Sequence, residues 1–227
     1  MQNIEKNLNQ VRAQIVKAAE ACDRDPDSVL LLAVSKRKPA SDIRTAFEFG
    51  QQHFGENYLQ EAQQKMRELE DLDICWHFIG AIQSNKTRDI ATDFDWAHCI
   101  DRLKIARRLS EQRPAGLPPL NVCIQVNIDH EDSKAGIDLA EVSELAAAMQ
   151  QLPGIRLRGL MTIPAPRETF EQQRPAFAQL AQALAGLRQR GIDCDTLSMG
   201  MTHDMDAAIA EGSTLVRIGT AIFGERS

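Results

Sequence analysis

The stretch Val29-Leu-Leu-Leu-Ala-Val-Ser-Lys36 determines how the rest of the chain is interpreted. A short, uninterrupted apolar run of this kind is typical of a strand that is buried on both faces. Pro39 follows it and closes the strand. The amine of Lys36 is therefore expected where a core strand meets a loop. Burial there would favour the neutral amine, which could form a Schiff base with an aldehyde, whereas the alternative is a solvated lysine at a strand end.

The same kind of run recurs along the chain and alternates with helical patterns. Eight apolar runs occur near 29–35, 53–56, 76–79, 96–100, 120–128, 157–163, 195–199 and 214–218. Helical patterns occur near 3–22, 40–49, 58–70, 85–92, 102–112, 138–151, 170–190 and 204–211. Repeated strand-then-helix order predicts right-handed βαβ units and a parallel sheet.

Eight strands predict a single (β/α)8 TIM-type barrel domain over residues 1–227, with an extra N-terminal helix and no C-terminal β domain. A doubly wound open sheet is the alternative, because short strands such as 54–56 are weak signals. Asp138 and Glu141 form a possible capping pair at a helix start. Pro175 indicates either the first turn of a helix or a kink within 170–190.

Composition excludes several classes of partner. The net charge is -6 and aromatic residues make up 5%, so we expect no nucleic acid partner. No apolar stretch approaches the ~18 residues that a membrane span needs. The five cysteines show no C-x-x-C spacing, which favours free thiols of a cytoplasmic protein over disulfides or a zinc site. The helices carry mixed charge, and we expect a monomer.

The loops after the seventh and eighth runs have the composition of a phosphate site. Barrels of this type often hold a phosphate there. The first loop begins Ser198-Met-Gly-Met-Thr202, and the second contains Gly219-Thr220. Both supply glycine for close backbone approach and hydroxyls for hydrogen bonds. We therefore expect an anionic group at this edge of the barrel.

Arg217 lies inside the otherwise apolar run 214–218. A buried arginine is rare unless it is paired, because it cannot lose its charge. It could pair with a carboxylate on a neighbouring strand, or it could donate to an acceptor atom of a ligand. The expected ligand then has an aldehyde for Lys36, a phosphate for the last two loops and a ring acceptor between them. Pyridoxal 5'-phosphate (PLP), the vitamin B6 coenzyme, has all three.

Seven segments closely resemble, in order and nearly end to end, the YggS/PROSC family of pyridoxal phosphate homeostasis proteins. These segments are Leu31-Leu-Ala-Val-Ser-Lys36, Phe54-Gly-Glu-Asn-Tyr58, Trp76-His-Phe-Ile-Gly80, Gln83-Ser-Asn-Lys86, Arg158-Gly-Leu-Met161, Leu197-Ser-Met-Gly-Met201 and Val216-Arg-Ile-Gly-Thr-Ala-Ile-Phe-Gly224. The resemblance implies the barrel fold of the alanine racemase N-terminal domain and a role in managing intracellular PLP.

The resemblance also implies roles for individual residues. Lys36 should carry the Schiff base, Arg217 should face the pyridine nitrogen, and Asn57 should lie near the ring. The phosphate should be surrounded by Ser198, Gly200, Met201, Thr202, Gly219 and Thr220. Thr202 stands where the family usually has serine; it keeps the hydroxyl, so we expect the contact to be kept. His203 beside it is also less usual and receives no role.

We expect no dedicated catalytic activity. Arg217 cannot accept a proton, so it would leave the pyridine nitrogen a weak electron sink. Racemases of this barrel type use two bases, and the second comes from an added domain and a partner subunit. The chain ends at Ser227, just after the eighth run, and Tyr58 is its only tyrosine. The alternatives are a PLP-dependent racemase or lyase of small amino acids, and a Schiff-base aldolase, which would leave Arg217 unexplained. Amino acids or PLP-dependent apoenzymes are possible partners.

The polar segment 127–136 is the remaining feature that could suggest a ligand site. Its acidic residues and His130 lack recognised metal-ligand spacing, so we expect a solvated loop or lid, with Lys134 as a candidate contact. We expect no metal. His77, within an apolar run, is expected to be a hydrogen-bonded core histidine, and Lys86 is left without a role.

Overall fold

A computed structural model describes residues 3–131 and 135–225, and it shows a closed barrel of eight parallel strands. The strands are β1 Leu30–Val34, β2 His53–Glu56, β3 Cys75–Phe78, β4 Trp96–Ile100, β5 Leu120–Val126, β6 Ile155–Thr162, β7 Thr196–Ser198 and β8 Leu215–Ile218. β8 pairs with β1, with Leu32 opposite Arg217, and this pairing closes the ring. The predicted barrel is confirmed, and the open-sheet alternative is wrong.

Helices follow the strands on the outside of the barrel. They are α1 Ile4–Glu20, α2 Ala40–Glu48, α3 Leu59–Glu68, α4 Thr87–Asp93, α5 Leu103–Gln112, α6 Val142–Met149, α7 Phe170–Gln189, α8 Met205–Ala210 and α9 Thr220–Phe223. Short 3₁₀ turns lie at Pro26–Ser28 and Leu139–Glu141. Among the described residues, none of the helices combines the length and the apolar character that crossing a membrane requires.

Two of the predicted helix signals can be checked directly. The capping box of Asp138 and Glu141 is present at the turn that leads into α6, as predicted. Pro175 lies inside α7, but in its second turn, because a capping box of Thr169 and Gln172 starts that helix earlier. The placement of Pro175 in a first turn is therefore wrong.

The extra N-terminal helix packs against the outside of the barrel near the seam between β8 and β1. Its buried face includes Ile4, Leu8, Val11 and Ile15, which recur at helical spacing. It contacts α2, α8 and α9. The amide of Asn7 also donates to the carbonyl of Ile222 in α9 at 2.9 Å. α1 thus supports the loop that follows β8.

Candidate functional site

A cavity of about 420 Å³ opens at the carboxyl ends of the strands. Seven of the nine predicted site residues line it: Lys36, Asn57, Met201, Thr202, Arg217, Gly219 and Thr220. The other lining residues are Val34, Ile79, Met161, Ile163, His203 and Ala221. The first strand and the last two therefore bring their polar groups to one place.

Lys36 lies two residues beyond β1, in a turn held on both sides. Before it, the amide of Ser35 donates to the carbonyl of Gly55 at 3.0 Å, and the Ser35 hydroxyl donates to Glu56 Oε1 at 2.6 Å. After it, Arg37 adopts a left-handed backbone with φ 60°. The amide of Arg37 donates to Glu61 Oε1 at 2.5 Å. These bonds fix the backbone from which the Lys36 side chain extends to the cavity.

The sequence did not reveal the role of Lys65, a second lysine beside this turn. Its ammonium is buried and donates to the Ser35 carbonyl at 2.8 Å, to Glu56 Oε1 at 2.7 Å and to Glu61 Oε1 at 2.5 Å. Burial raises the pKa of Glu56, although the charge of Lys65 opposes that shift. The available signal was helical spacing, because Lys65 shares the buried face of α3 with Leu59 and Ala62.

Arg217 is held in the barrel interior by oxygen acceptors that carry no charge. One terminal nitrogen donates to the Ser198 carbonyl at 2.5 Å and to its hydroxyl at 2.8 Å. The other donates to the Thr162 carbonyl at 2.8 Å. No carboxylate in the described part of the chain lies within ion-pair distance of Arg217. The ion pair expected as the alternative is therefore not formed there.

Ser198 connects Arg217 to two buried histidines, one on β4 and one on β3. Its hydroxyl lies 2.9 Å from His98 Nδ1, and His98 Nε2 lies 2.9 Å from His77 Nδ1. Burial lowers the pKa of His98 to about 3 and that of His77 well below its usual value, so both rings are neutral at pH 7. The prediction of a hydrogen-bonded core histidine at 77 is confirmed.

Ser198 and Gly200 are the two predicted site residues that do not line the cavity. Ser198 is fully buried beneath it, so its phosphate contact stays a prediction, while its hydroxyl bonds Arg217. Gly200 has φ +95°, and a Cβ there would lie 2.6 Å from Ala208 Cβ. A glycine is therefore required for the loop to pass over α8 and bring Met201 and Thr202 to the cavity.

Asn57 and Asp204 contribute polar groups to the cavity and its surroundings. Asn57 Oδ1 is buried and has no hydrogen-bond partner among the described residues. The amide of Met201 donates to Asp204 Oδ1 at 2.6 Å, and burial raises the pKa of Asp204. A polar acceptor without a partner beside a lysine, an arginine and two threonines suits a small, polar, anionic ligand.

The remaining candidates differ in their relation to the cavity. Lys134 and Asp132 are outside the described residues. In the same polar segment, Asp129 pairs with Arg167 of the loop after β6. Lys86 is not among the residues that line the cavity, whereas His203 is.

Comparison with known proteins identifies the family. The family model described as "Alanine racemase, N-terminal domain" matches residues 2–227. The pyridoxal phosphate homeostasis protein of Escherichia coli K12 is 58% identical over 229 residues, which cover 100% of this chain and 98% of that protein. The chain belongs to the pyridoxal phosphate homeostasis protein family. A second member, from Pseudomonas aeruginosa PAO1, is 58% identical over 226 residues, which cover 100% of this chain and 97% of that protein.

Solved structures agree with this family and its fold. PipY of Synechococcus elongatus PCC7942, solved with PLP bound, matches with a TM-score of 0.86 and 38% identity, covering 98% of this chain and 100% of that one. Alanine racemase from Corynebacterium glutamicum matches with a TM-score of 0.68 and 19% identity, covering 97% of this chain and 59% of that one. The likeness to alanine racemase, at 19% identity, shows the barrel fold alone. The likeness to PipY, at 38% identity, covers both the fold and the sequence.

Proposed function

We propose that this protein binds PLP in the cavity at the carboxyl ends of the strands and serves intracellular PLP homeostasis without a dedicated catalytic activity. One observation carries the proposal: Lys36, Arg217 and residues of the loops after β7 and β8, namely Thr202, Gly219 and Thr220, line the same cavity. The PLP complex of PipY and the 58% identity to the Escherichia coli homeostasis protein support it.

The residues present suit each part of PLP. Lys36 would hold the aldehyde, and Arg217 would donate to the ring nitrogen. Thr202 and Thr220, with the loop backbones around Gly200 and Gly219, would hold the phosphate. Ser198, which is buried beneath the cavity, would contribute its hydroxyl to the same group. The Asn57 amide would lie near the ring, where its Oδ1 has no partner among the described residues. PLP, when bound, supplies an aldehyde that reacts reversibly with primary amines.

Two features support a holding role over a catalytic one. Arg217 is fixed by Ser198 and the Thr162 carbonyl, and a guanidinium cannot give a proton to the ring nitrogen at neutral pH. The only tyrosine, Tyr58, is 47% exposed, does not line the cavity and lies 3.4 Å from an Arg37 nitrogen. It is therefore poorly placed to serve as a second base. Reversible loading and release remain available through Lys36.

The proposal extends to the setting of the protein. All five cysteines are free thiols, which supports the cytoplasmic location expected from the sequence. Amino acids and PLP-dependent apoenzymes are the proposed recipients, because both present primary amines to the coenzyme. We keep the expectation of a monomer.

Borohydride trapping tests the proposal. The wild-type protein, Lys36→Ala and Lys38→Ala are each incubated with PLP, reduced, digested and analysed by mass spectrometry. We expect the pyridoxyl group on the Lys36 peptide of the wild type and of Lys38→Ala, and its loss from that position in Lys36→Ala. Lys38 is a matched control, because its ammonium bonds the Glu225 carbonyl and does not line the cavity.

Two results would count against the proposal. A wild-type protein that carries no pyridoxyl group, or carries it away from Lys36, would overturn the binding site. Turnover of racemase or lyase substrates well above the rate of free PLP would overturn the absence of a dedicated activity and favour the enzyme alternative.

A further inference from the structure

Three side chains with metal-binding atoms meet at the opposite pole of the barrel, where β2 and β3 begin. His53 is the first residue of β2 and pairs in register with Cys75, the first residue of β3. His77 lies two residues further along β3 and therefore on the same face as Cys75. One ligand atom from each of the three residues lies within 4.8 Å of the other two.

Two of the distances between these atoms are close to those of a tetrahedral site. His53 Nδ1 lies 3.0 Å from His77 Nε2, and Cys75 Sγ lies 3.4 Å from the same nitrogen. Zinc bonds of about 2.0–2.1 Å to nitrogen and about 2.3 Å to sulfur give tetrahedral edges of about 3.3 Å and about 3.6 Å. The three atoms could thus face one ion with small side-chain adjustments.

The ligand atoms and the access of the cluster also suit a cation. Imidazole nitrogen and cysteine sulfur are ligand atoms that zinc prefers, and the thiol gives up its proton when it binds the ion. A cleft of about 360 Å³, lined by His53, Cys75 and Asp95, gives a route from solvent.

Two neighbours orient the cluster. His98 Nε2 lies 2.9 Å from His77 Nδ1, so a proton on Nδ1 would be bonded and Nε2 would be left to bind metal. Asp95 Oδ2 accepts the Trp76 amide at 2.8 Å, which fixes the carboxylate beside Cys75. Arg113 also lines this cleft, but its guanidinium donates to the carbonyls of Phe94 and Pro118 at 2.7 Å each.

We propose that His53, Cys75 and His77 bind a divalent transition-metal ion, with Zn²⁺ as the best match and a fourth position that opens to the cleft beside Asp95. Two imidazoles and one thiolate favour zinc over magnesium or calcium. The site lies at the pole opposite the PLP cavity, so it is separate from the proposed coenzyme site. Sequence spacing argued against zinc, because the ligands sit on two strands and only their register brings them together.

The test is a metal titration of protein first stripped with a chelator. Co²⁺ is the probe, because thiolate ligation gives a charge-transfer band, and Zn²⁺ then displaces it. We expect one ion per chain. Cys75→Ser should lose the band and bind Zn²⁺ at least ~10-fold more weakly, and His53→Gln should also weaken binding. Cys22→Ser, a change at another half-buried thiol, should leave binding unchanged.

The outcomes separate this site from the PLP cavity and from a folding defect. His77 is not substituted, because it is fully buried, and circular dichroism checks that each variant is folded. Lys36→Ala should bind Zn²⁺ as the wild type does. The proposal is overturned if the wild type binds no Co²⁺ or Zn²⁺, or if Cys75→Ser binds them with unchanged affinity and spectrum.

Discussion

At the scale of single residues, Lys65 stabilises the turn that carries Lys36. Its ammonium joins the Ser35 carbonyl to two carboxylates, one of which, Glu56, is fully buried. A buried ion pair is weak evidence for net stability, but removing one partner leaves a charge without compensation. Lys65, which does not line the cavity, thus positions Lys36, which does.

Replacing Lys65 with methionine should therefore destabilise the protein. We expect the free energy of unfolding to fall by about 3 kcal/mol at pH 7, measured by urea unfolding, because Glu56 would lose its buried counter-charge. The loss should be smaller at pH 6 than at pH 8. Burial already raises the pKa of Glu56, and without Lys65 it rises further, so a proton can neutralise the carboxylate as the pH falls.

Lys104→Met is the matched control. Lys104 is exposed on α5, and the same substitution there should change the free energy of unfolding by less than about 0.5 kcal/mol. A Lys65→Met protein as stable as this control at both pH values would show that the three bonds of Lys65 contribute nothing to the turn.

At the scale of elements, the glycine after β3 sets the distance between two loops at the cavity. A Cβ at Gly80 would lie 2.2 Å from the backbone oxygen of Asn57, which cannot move as a side chain can. Gly80→Ala should lower the free energy of unfolding by about 2 kcal/mol, because the loop after β2 must shift. Since Asn57 lines the cavity, PLP affinity measured by absorbance titration should fall as well.

Gly186→Ala is the control within the same chain. Gly186 lies inside α7, and a Cβ there would meet nothing within 4 Å. Alanine should stabilise that helix by about 0.5–1 kcal/mol and leave PLP affinity unchanged. If Gly80→Ala matched it in both measurements, the close approach to Asn57 would not limit the site.

The elements also show what the sequence could and could not predict. Apolar runs gave all eight strands within a few residues, because a buried strand needs a continuous apolar stretch. α9 was missed, because a single helical turn carries no periodicity. Seven site residues were placed in the cavity, whereas Lys65 and the bond from Ser198 to His98 were not foreseen. These contacts depend on strand register and side-chain direction, which local sequence does not encode.

At the scale of the whole molecule, α1 packs over the part of the barrel where the helices that follow the last two strands, α8 and α9, are short. α8 and α9 have six and four residues, and they lie where the last strands meet the first. α1, with 17 residues, packs on both and on α2. A closed barrel has no free edge, so a weakness at this seam affects the entire ring. The extra helix is therefore part of the barrel's cooperative unit.

Truncating the buried face of α1 tests this conclusion. Leu8 is fully buried, so Leu8→Ala should lower the free energy of unfolding by about 3 kcal/mol. Val16 is 40% exposed, so the control Val16→Ala should lower it by less than about 0.5 kcal/mol. The fluorescence of Trp76 and Trp96 reports the unfolding of β3 and β4, which lie away from the seam. In urea, their fluorescence and the circular dichroism of Leu8→Ala should shift together, because one cooperative unit unfolds in one step. A fluorescence transition that stayed at the wild-type urea concentration would mean that α1 unfolds separately, and that the barrel closes without it.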